Sequence, residues 1–181
     1  MSSRLVVWWA AGRAPDGPDP SSLASPVDAF QALQGAAEVA YVSLPGEANE
    51  AMRLEATLRL AYPTARITRQ HLLQDRAGAS AGARAPFHYI VATDVRPEAE
   101  DDFNAWYERE HLPGLAGVPG TVRAQRLRNE DDRPRYHACY DLVTAETLGS
   151  PAWLAVRGTT WSGRVRPSFR NTTRLMLRRR A

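Results

Sequence analysis

The sequence predicts an α+β fold built from two related units whose sheets pack face to face. A small, polar and glycine-rich stretch at 75–86 divides the chain, and similar alternations of strands and helices lie on either side of it. Residues 4–73 read as strand, helix, strand, helix, strand, whereas residues 87–179 contain one strand more. We therefore expect an abbreviated unit in residues 1–74, a linker at 75–86 and a complete unit in residues 87–181.

The first unit begins with an apolar run at 4–10, which is typical of a strand covered on both faces. Residues 12–22 are rich in Gly, Pro, Asp and Ser and predict a loop. Ser25 before Pro26 is a helix-start pattern, and Gly35 is a stop signal, so a short helix is expected between them. Three further elements follow, a strand at 37–44, a helix at 47–62 and a strand at 65–73.

The second unit opens with a strand at 87–95, and Pro97 then suits the first turn of a helix. Pro113 is expected to end that helix, because a residue before proline is pushed away from the α region. The remaining elements are strands at 121–128 and 135–143 around a hairpin at 129–134, a helix from Ala145 with a kink or restart at Pro151, and a strand at 172–179. Strand, helix, strand, strand, helix, strand is the ferredoxin-like order.

Aromatic residues follow one side of the helix that begins at Pro97. Phe103, Trp106, Tyr107 and His111 recur at spacings of three, one and four, which places His111 at the C-terminal end of an aromatic stripe. The string WYEREHLPGLAGVPG resembles the W-Y-x-x-E-H-x-P signature of EthD-like members of the dimeric α/β-barrel superfamily. The positions that match are Trp106, Tyr107, Glu110, His111 and Pro113.

This resemblance covers about half of the chain, from residue 87 to residue 179. It implies a dimeric α/β-barrel arrangement, in which two ferredoxin-like units put their sheets face to face, either as two chains or as a tandem fusion. A homodimer is therefore possible. It also implies a pocket between sheet and helix that His111 faces. Members of the superfamily include isomerases, cyclases, cofactor-free monooxygenases and haem enzymes, so the fold is indicated more firmly than the reaction.

His111 is the residue best suited to chemistry, because an imidazole is the usual proton carrier near neutral pH. The alternative is a helix-end histidine that binds a terminal carbonyl. Trp106 and Tyr107 pack in the core or line a site for an aromatic ligand. Glu110 either orients the loop beside His111 or is a solvated charge.

His88 and His137 lie on predicted strands, and one face of each strand lines the space enclosed by the sheets. If their side chains point inward, they join His111 as an acid, a base or a haem ligand; otherwise they are structural. The strand pattern does not decide between these alternatives. The pattern of Cys139 inside a strand indicates a small buried side chain.

Composition limits the other classes of function. The net charge of +3 comes from arginine alone, and the run Arg178 to Arg180 is expected to be a solvated tail, since no nucleic-acid-binding motif accompanies it. We expect no membrane partner and a cytoplasmic protein, because no apolar run is long enough to cross a bilayer and no signal peptide is evident. No metal-ligand spacing or phosphate loop occurs, and no cofactor is expected.

Three functions remain open at this stage. The first is a cofactor-free enzyme, of isomerase, cyclase, dehydratase or monooxygenase type, that acts on a small hydrophobic or aromatic substrate with His111 in proton transfer. The second is a non-catalytic binding or assembly module with the same fold. The third is a haem-binding member of the superfamily.

Overall fold

A computed structural model describes residues 3–9, 20–23, 27–34, 37–130 and 132–180. The strands in these residues are β1 Ser3–Trp9, β2 Val27–Ala32, β3 Glu38–Ser43, β4 Arg66–Ala77, β5 Phe87–Val95, β6 Thr121–Asn129, β7 Tyr136–Leu142 and β8 Phe169–Arg179. The α-helices are α1 Pro20–Leu23, α2 Ala48–Ala61, α3 Glu100–Trp106, α4 Leu112–Ala116, α5 Pro151–Arg157 and α6 Thr160–Val165.

The strands close into one antiparallel barrel within the single chain, in the order β1-β3-β2-β8-β5-β7-β6-β4. Strands of the first half meet strands of the second half at two seams, where β4 pairs with β6 and β2 pairs with β8. The predicted α+β, ferredoxin-like fold with two sheets facing each other is therefore confirmed. Because the barrel closes inside one chain, it needs no second copy for its completion, and the homodimer stays a prediction.

Each strand separates two apolar compartments, because successive side chains point to opposite faces. One compartment is the barrel interior, whose buried centre includes Val6, Val39, Ile90, Leu127 and Leu177. The other lies between the second-half strands and helices α3 to α6, and it is dominated by aromatic side chains. Its buried members include Tyr89, Phe103, Trp106, Tyr140 and Trp153. Helix α2 covers the first-half strands in the same way, with Leu58 fully buried.

The described residues of the first half form four strands, so the predicted abbreviated unit with one strand fewer is wrong. Val27–Ala32 forms β2 where the sequence predicts a helix. The extended backbone lets β2 pair with both β3 and β8, and Phe30 becomes buried at 1% exposure inside the barrel. These long-range contacts outweigh the local helix-start signal. Residues 12–19 of the predicted loop at 12–22 lie outside the described residues, and residues 20–22 belong to α1.

The predicted linker at 75–86 is not a free segment at its start. Residues 75–77 belong to β4. The backbone N–H of Gly78 then donates to the Val122 carbonyl at 2.9 Å, and that of Ser80 donates to the Thr121 carbonyl at 2.9 Å. A Cβ at Gly78 would lie 2.1 Å from the Thr121 carbonyl oxygen, so this close approach requires glycine. The division of the chain into two units at 75–86 stays a prediction.

The arginine run at the C-terminus is not a solvated tail. Arg178 and Arg179 belong to β8, and Arg179 forms an ion pair with Asp28 across the β2–β8 seam. Arg180 Nη1 lies 3.1 Å from Glu38 Oε2. These contacts hold the last strand against the first half of the chain. No helix among the described residues is long and apolar enough to cross a membrane.

Candidate active site between helices and sheet

The sequence predicts that the helix beginning at Pro97 ends before Pro113. The structure contradicts this, because the helical path continues past Pro113. It passes from a 3₁₀ turn through α3 into a wider π-helical turn at Tyr107–His111, and α4 then continues the same path. The Leu112 N–H bonds to the Tyr107 carbonyl, five residues back. This widening accommodates Pro113, whose ring would clash with the carbonyl four residues earlier in a regular helix. The turn carries His111 at its end, and such turns are frequent at functional sites.

His111 is buried against the aromatic stripe rather than bound to a helix-end carbonyl. Its ring stacks on Trp106 with centroids 3.9 Å apart and meets the Tyr107 ring edge-on at 5.3 Å. Only 7% of the residue is exposed, and Nδ1 is buried without a hydrogen-bond partner among the described residues. Burial, together with the nearby positive charges of Arg166 and Arg157, lowers the pKa of His111 to about 3. The imidazole is therefore neutral at physiological pH.

A small pocket of about 30 Å³ lies beside His111, between the helices and the sheet. Its apolar wall is aromatic and comes from β5, β7, α3, α5 and β8. The lining residues are Tyr89, Val91, Trp106, Tyr107, His111, Leu115, Tyr140, Trp153, Arg157, Arg166, Phe169 and Arg174. The hydroxyl of Tyr140 and the indole N–H of Trp153 are buried without a partner in the described part of the chain, as is His111 Nδ1. Three polar atoms without partners thus surround one cavity.

The more exposed wall of this pocket consists of Arg157, Arg166 and Arg174. None of the three forms an ion pair with another residue that the structure describes. The guanidinium groups repel each other, and Arg157 and Arg174 contribute to a lowered pKa of Arg166, after burial as the largest cause. Clustered guanidinium groups without acidic partners are suited to bind an anion, because each offers several N–H donors in a planar fork.

Glu110 holds the π-helical turn in place. Its Oε1 accepts a hydrogen bond from Trp106 Nε1 at 3.1 Å and another from the Thr159 hydroxyl at 2.6 Å. Thr159 also caps α6 by accepting a bond from the Ser162 N–H. Glu110 therefore fixes the indole on which His111 stacks and ties it to the start of α6, which agrees with an orienting role.

His88 and His137 do not join His111. Both side chains point into the barrel, whereas Tyr89 and Tyr140, on the opposite faces of the same strands, face the helices. His111 belongs to the helix side, so the sheet itself separates it from the other two histidines. The prediction that inward-pointing His88 or His137 joins His111 is wrong, since the barrel interior and the His111 pocket are different compartments.

His88 lies near one end of the barrel in a network of polar groups. Its Nδ1 is 2.8 Å from Asp141 Oδ1, its Nε2 is 3.2 Å from the Tyr41 hydroxyl, and its ring stacks on Phe30. Burial is the largest single influence and lowers the pKa of His88, but the hydrogen bond to Asp141, the contacts with Cys139 and the charge of Asp141 together outweigh it. The pKa of His88 is raised to about 9, so an imidazolium–carboxylate pair is buried here.

His137 lies near the other end of the barrel and is neutral. Burial lowers its pKa to about 4, although the neighbouring Pro134 carbonyl acts in the opposite direction. Its Nε2 is 3.2 Å from both the Pro134 oxygen and Asn129 Nδ2, and its ring meets Trp8 edge-on. Cys139 lies on β7, two residues after His137, and is buried at 2% exposure as the sequence predicts. No cluster of three or more metal-ligating side chains is found in the residues described.

The structure adds site residues that sequence reasoning missed. The three arginines come from α5, from the turn after α6 and from β8, and no spacing in the sequence relates them. Tyr140 alternates with Cys139 along β7, so only the position of the helices shows which of them faces the pocket. Trp153 packs α5 against Tyr140 of the sheet and also lines the pocket.

The comparisons with known proteins agree on the architecture. No protein-family model and no curated protein matches the sequence. The structure is similar to an anthrone oxidase-like protein, with 12% identity and a TM-score of 0.66 over 99% of this chain and 92% of the other. It is also similar to a monooxygenase-like protein from Listeria innocua, with 9% identity and a TM-score of 0.59 over 99% and 94% of the two chains.

A third similar structure is a heme-degrading enzyme from Listeria monocytogenes, with 9% identity and a TM-score of 0.57 over 96% of this chain and 98% of the other. The fold is that of the dimeric α/β-barrel superfamily. The resemblance seen in the sequence is therefore confirmed at the level of fold. At sequence identities of 9–12%, the shared fold does not indicate a particular reaction. The likeness to EthD-like members stays a prediction.

Because His111 is buried as a neutral imidazole, the free energy of unfolding is expected to fall at acid pH. His111 has an ordinary pKa near 6.5 when unfolded and about 3 when folded, so the unfolded chain binds the proton more readily. The stability is complete above about pH 6.5 and falls as pH decreases towards 3, by about 3 kcal/mol near pH 4.5 for this residue. Urea unfolding from pH 7 to pH 4.5 should show a smaller loss for His111→Phe than for the wild type. Equal losses would contradict the burial of a neutral imidazole.

Proposed function

We propose that the protein is a cofactor-independent enzyme that removes a proton from a small aromatic substrate in the pocket beside His111. The substrate carries a negative charge or develops one during the reaction. The observation that carries this proposal is that one cavity is surrounded by a neutral imidazole, an aromatic wall and three arginines that form no ion pair with a described residue. The aromatic wall suits a planar ring. The arginines stabilise an enolate, phenolate or carboxylate.

Proton transfer from the substrate needs a base that becomes stronger when the substrate binds. In the free protein, Arg166 and Arg157 contribute to the lowered pKa of His111, after burial as the largest cause. An anionic substrate between these arginines and the imidazole offsets their charge and favours the imidazolium. The pKa of His111 then moves towards neutral, where a general base is most effective. The substrate thus helps to activate its own base.

An activated methylene group shows the chemistry in its simplest form. Loss of a proton to His111 leaves an electron pair that is delocalised as an enolate, whose oxygen the arginines bind. Reaction of this electron-rich carbon with dioxygen forms a peroxide anion, which takes the proton back from His111 to give a hydroperoxide. The second hydrogen of the former methylene group then leaves with the outer OH group as water, and a carbonyl remains. Anthrone and dioxygen would in this way yield anthraquinone and water. The similarity to an anthrone oxidase-like protein supports anthrone as the first probe.

The residues present do not fit a haem in this compartment. A metal-ligating histidine normally donates a hydrogen bond from its other ring N–H to a fixed partner, but Nδ1 of His111 has no partner among the described residues. One face of the imidazole is also covered by Trp106. An aromatic substrate enters this compartment only when the pocket opens, and its opening is on the side of the partly exposed arginines.

Binding of benzoate tests the anion site without knowledge of the natural substrate. Trp106 and Trp153 line the pocket, so their fluorescence reports occupancy. Benzoate is expected to bind the wild type with uptake of a proton by His111, measured by calorimetry in buffers of different ionisation enthalpy. Arg166→Gln should weaken binding about tenfold, since hydrogen bonds to charged groups contribute about 1.5–3 kcal/mol and this site is partly exposed.

Arg76→Gln is the matched control, because Arg76 is exposed on β4, away from the pocket. Its affinity for benzoate should equal that of the wild type. Equal affinities in Arg166→Gln and Arg76→Gln would reject the anion site. Benzoate binding without turnover of any activated methylene compound would favour the non-catalytic binding module instead.

A further inference from the structure

A second cavity, larger than the one beside His111, lies inside the barrel near one end. It has a volume of about 260 Å³, and most of its surface is apolar. The walls come from strands of both halves of the chain. The lining residues are Trp8, Ala37, Arg66, Thr68, Ala92, Asn129, Arg133, Pro134, His137, Thr173 and Leu175. This volume approaches the lower limit of ordinary ligand pockets, about 300 Å³, and it accommodates a single aromatic ring.

Three buried polar atoms on the wall of this cavity have no hydrogen-bond partner within the described residues. They are Thr68 Oγ1, Asn129 Oδ1 and His137 Nδ1. Their residues are exposed by only 5%, 4% and 2%. The great majority of buried polar side-chain atoms in proteins are hydrogen-bonded, because an unpaired one has lost water without compensation. Three such atoms around one cavity indicate a ligand that supplies the missing bonds.

The hydrogen-bond network shows what each atom offers. Asn129 Nδ2 lies 2.6 Å from the Pro134 carbonyl oxygen, which only accepts, so the amide nitrogen donates there and Oδ1 is left as an acceptor. His137 Nε2 lies 3.2 Å from both Asn129 Nδ2, a donor, and the Pro134 oxygen, an acceptor, so Nδ1 either donates or accepts, according to the tautomer. The Thr68 hydroxyl both donates and accepts. A ligand hydroxyl group, which also does both, therefore matches either tautomer of His137.

The charges at this end of the barrel are paired, in contrast to those beside His111. Arg66 forms two hydrogen bonds with Asp132, at 2.6 and 2.7 Å, and Arg133 Nη1 lies 3.1 Å from Asp94 Oδ1. Burial also keeps His137 neutral. The arginines are therefore already compensated, and the cavity provides no excess charge to attract an anion.

We propose that this end of the barrel is a binding site for a small uncharged aromatic molecule with a hydroxyl group, such as a phenol. The ring packs among Trp8, Ala92 and Leu175, and the hydroxyl group exchanges hydrogen bonds with Thr68, Asn129 and His137. The site is separate from the helix–sheet pocket, since the sheet lies between them. It does not depend on the catalytic role of His111.

Phenol itself is the probe, and thermal unfolding with and without phenol is the measurement. The wild type should show a saturable rise in melting temperature, and excess benzoate should not displace phenol. Thr68→Val keeps the shape of the side chain but removes the hydroxyl, so the affinity should fall about 3- to 10-fold. Ala92→Leu fills the cavity, and its melting temperature should not respond to phenol.

Thr121→Val is the matched control, because Thr121 has a buried hydroxyl without a partner in the described part of the chain but does not line this cavity. It should bind phenol like the wild type. Absence of saturable binding to the wild type would show that water alone satisfies the three polar atoms, and would overturn the proposal. Equal phenol affinity in Thr68→Val, Ala92→Leu and the wild type would also overturn it, and displacement by benzoate would place phenol beside His111.

Discussion

His111→Gln is expected to lower oxygen-dependent turnover of anthrone by about two orders of magnitude or more, the usual effect of losing a general base. Glutamine keeps a polar side chain of similar length but cannot take a proton from carbon. Oxygen uptake and the absorbance of anthraquinone at neutral pH would measure the reaction, after subtraction of the spontaneous rate. The proposed role of the imidazole requires that kcat falls, while benzoate still binds to the arginines.

His71→Gln is the control for this experiment. His71 lies on β4, where its Nε2 is 2.8 Å from Glu130 Oε1 and away from the pocket, so its replacement should leave turnover unchanged. Thermal melts of both variants separate catalysis from folding. If His111→Gln retains wild-type turnover and only melts at a lower temperature, His111 is a structural residue of the aromatic cluster.

Part of the site was predictable because it is local in sequence. Trp106, Tyr107 and His111 lie on one helical stretch, and the period of the helix brings them to one side of it. The π-helical turn was not predictable from the period, and Pro113 suggested an earlier end. The arginines could not be found, because three elements that are distant in sequence bring them together only in the folded chain.

The sequence predicts element boundaries most accurately where proline residues mark them. Strand β5 has the predicted limits of 87–95, between Pro86 and Pro97. Strand β2 was missed because its identity depends on pairing with β8, where Phe30 meets Arg179 about 150 residues later in the chain. Local propensity cannot report such a contact. The same limitation applies to His88 and His137, since both faces of β5 and β7 are covered and alternation alone does not show which face is inside.

The two compartments differ in electrostatics as well as in position. Beside His111, arginines that form no ion pair with a described residue face an aromatic cavity, and the imidazole is neutral. Inside the barrel, the buried charges of His88 and Asp141 are paired with each other. This difference supports the proposed anionic substrate in the first compartment and indicates a structural role for the buried pair in the second.

The buried pair of His88 and Asp141 is expected to contribute most to the stability of the barrel interior. Removing one partner of a buried ion pair leaves the other charge uncompensated, so Asp141→Ala should lower the free energy of unfolding by about 3–5 kcal/mol. Asp132→Ala is the matched control, because Asp132 pairs with Arg66 at the surface, where both side chains are more than one-third exposed. Its loss should be about 0–1 kcal/mol. Urea unfolding near pH 7 measures both.

The pH dependence gives this pair a second signature. The pKa of His88 is about 9 in the folded protein and near 6.5 when unfolded, so the folded state holds the proton more tightly. The stabilisation is complete below about pH 6.5 and is lost as pH rises through 9, by about 3 kcal/mol in total. Wild-type stability should therefore fall between pH 7 and pH 10, and Asp141→Asn should lack most of that fall because its amide cannot hold the imidazolium. Parallel pH profiles for the two proteins would show that His88 is neutral in the barrel.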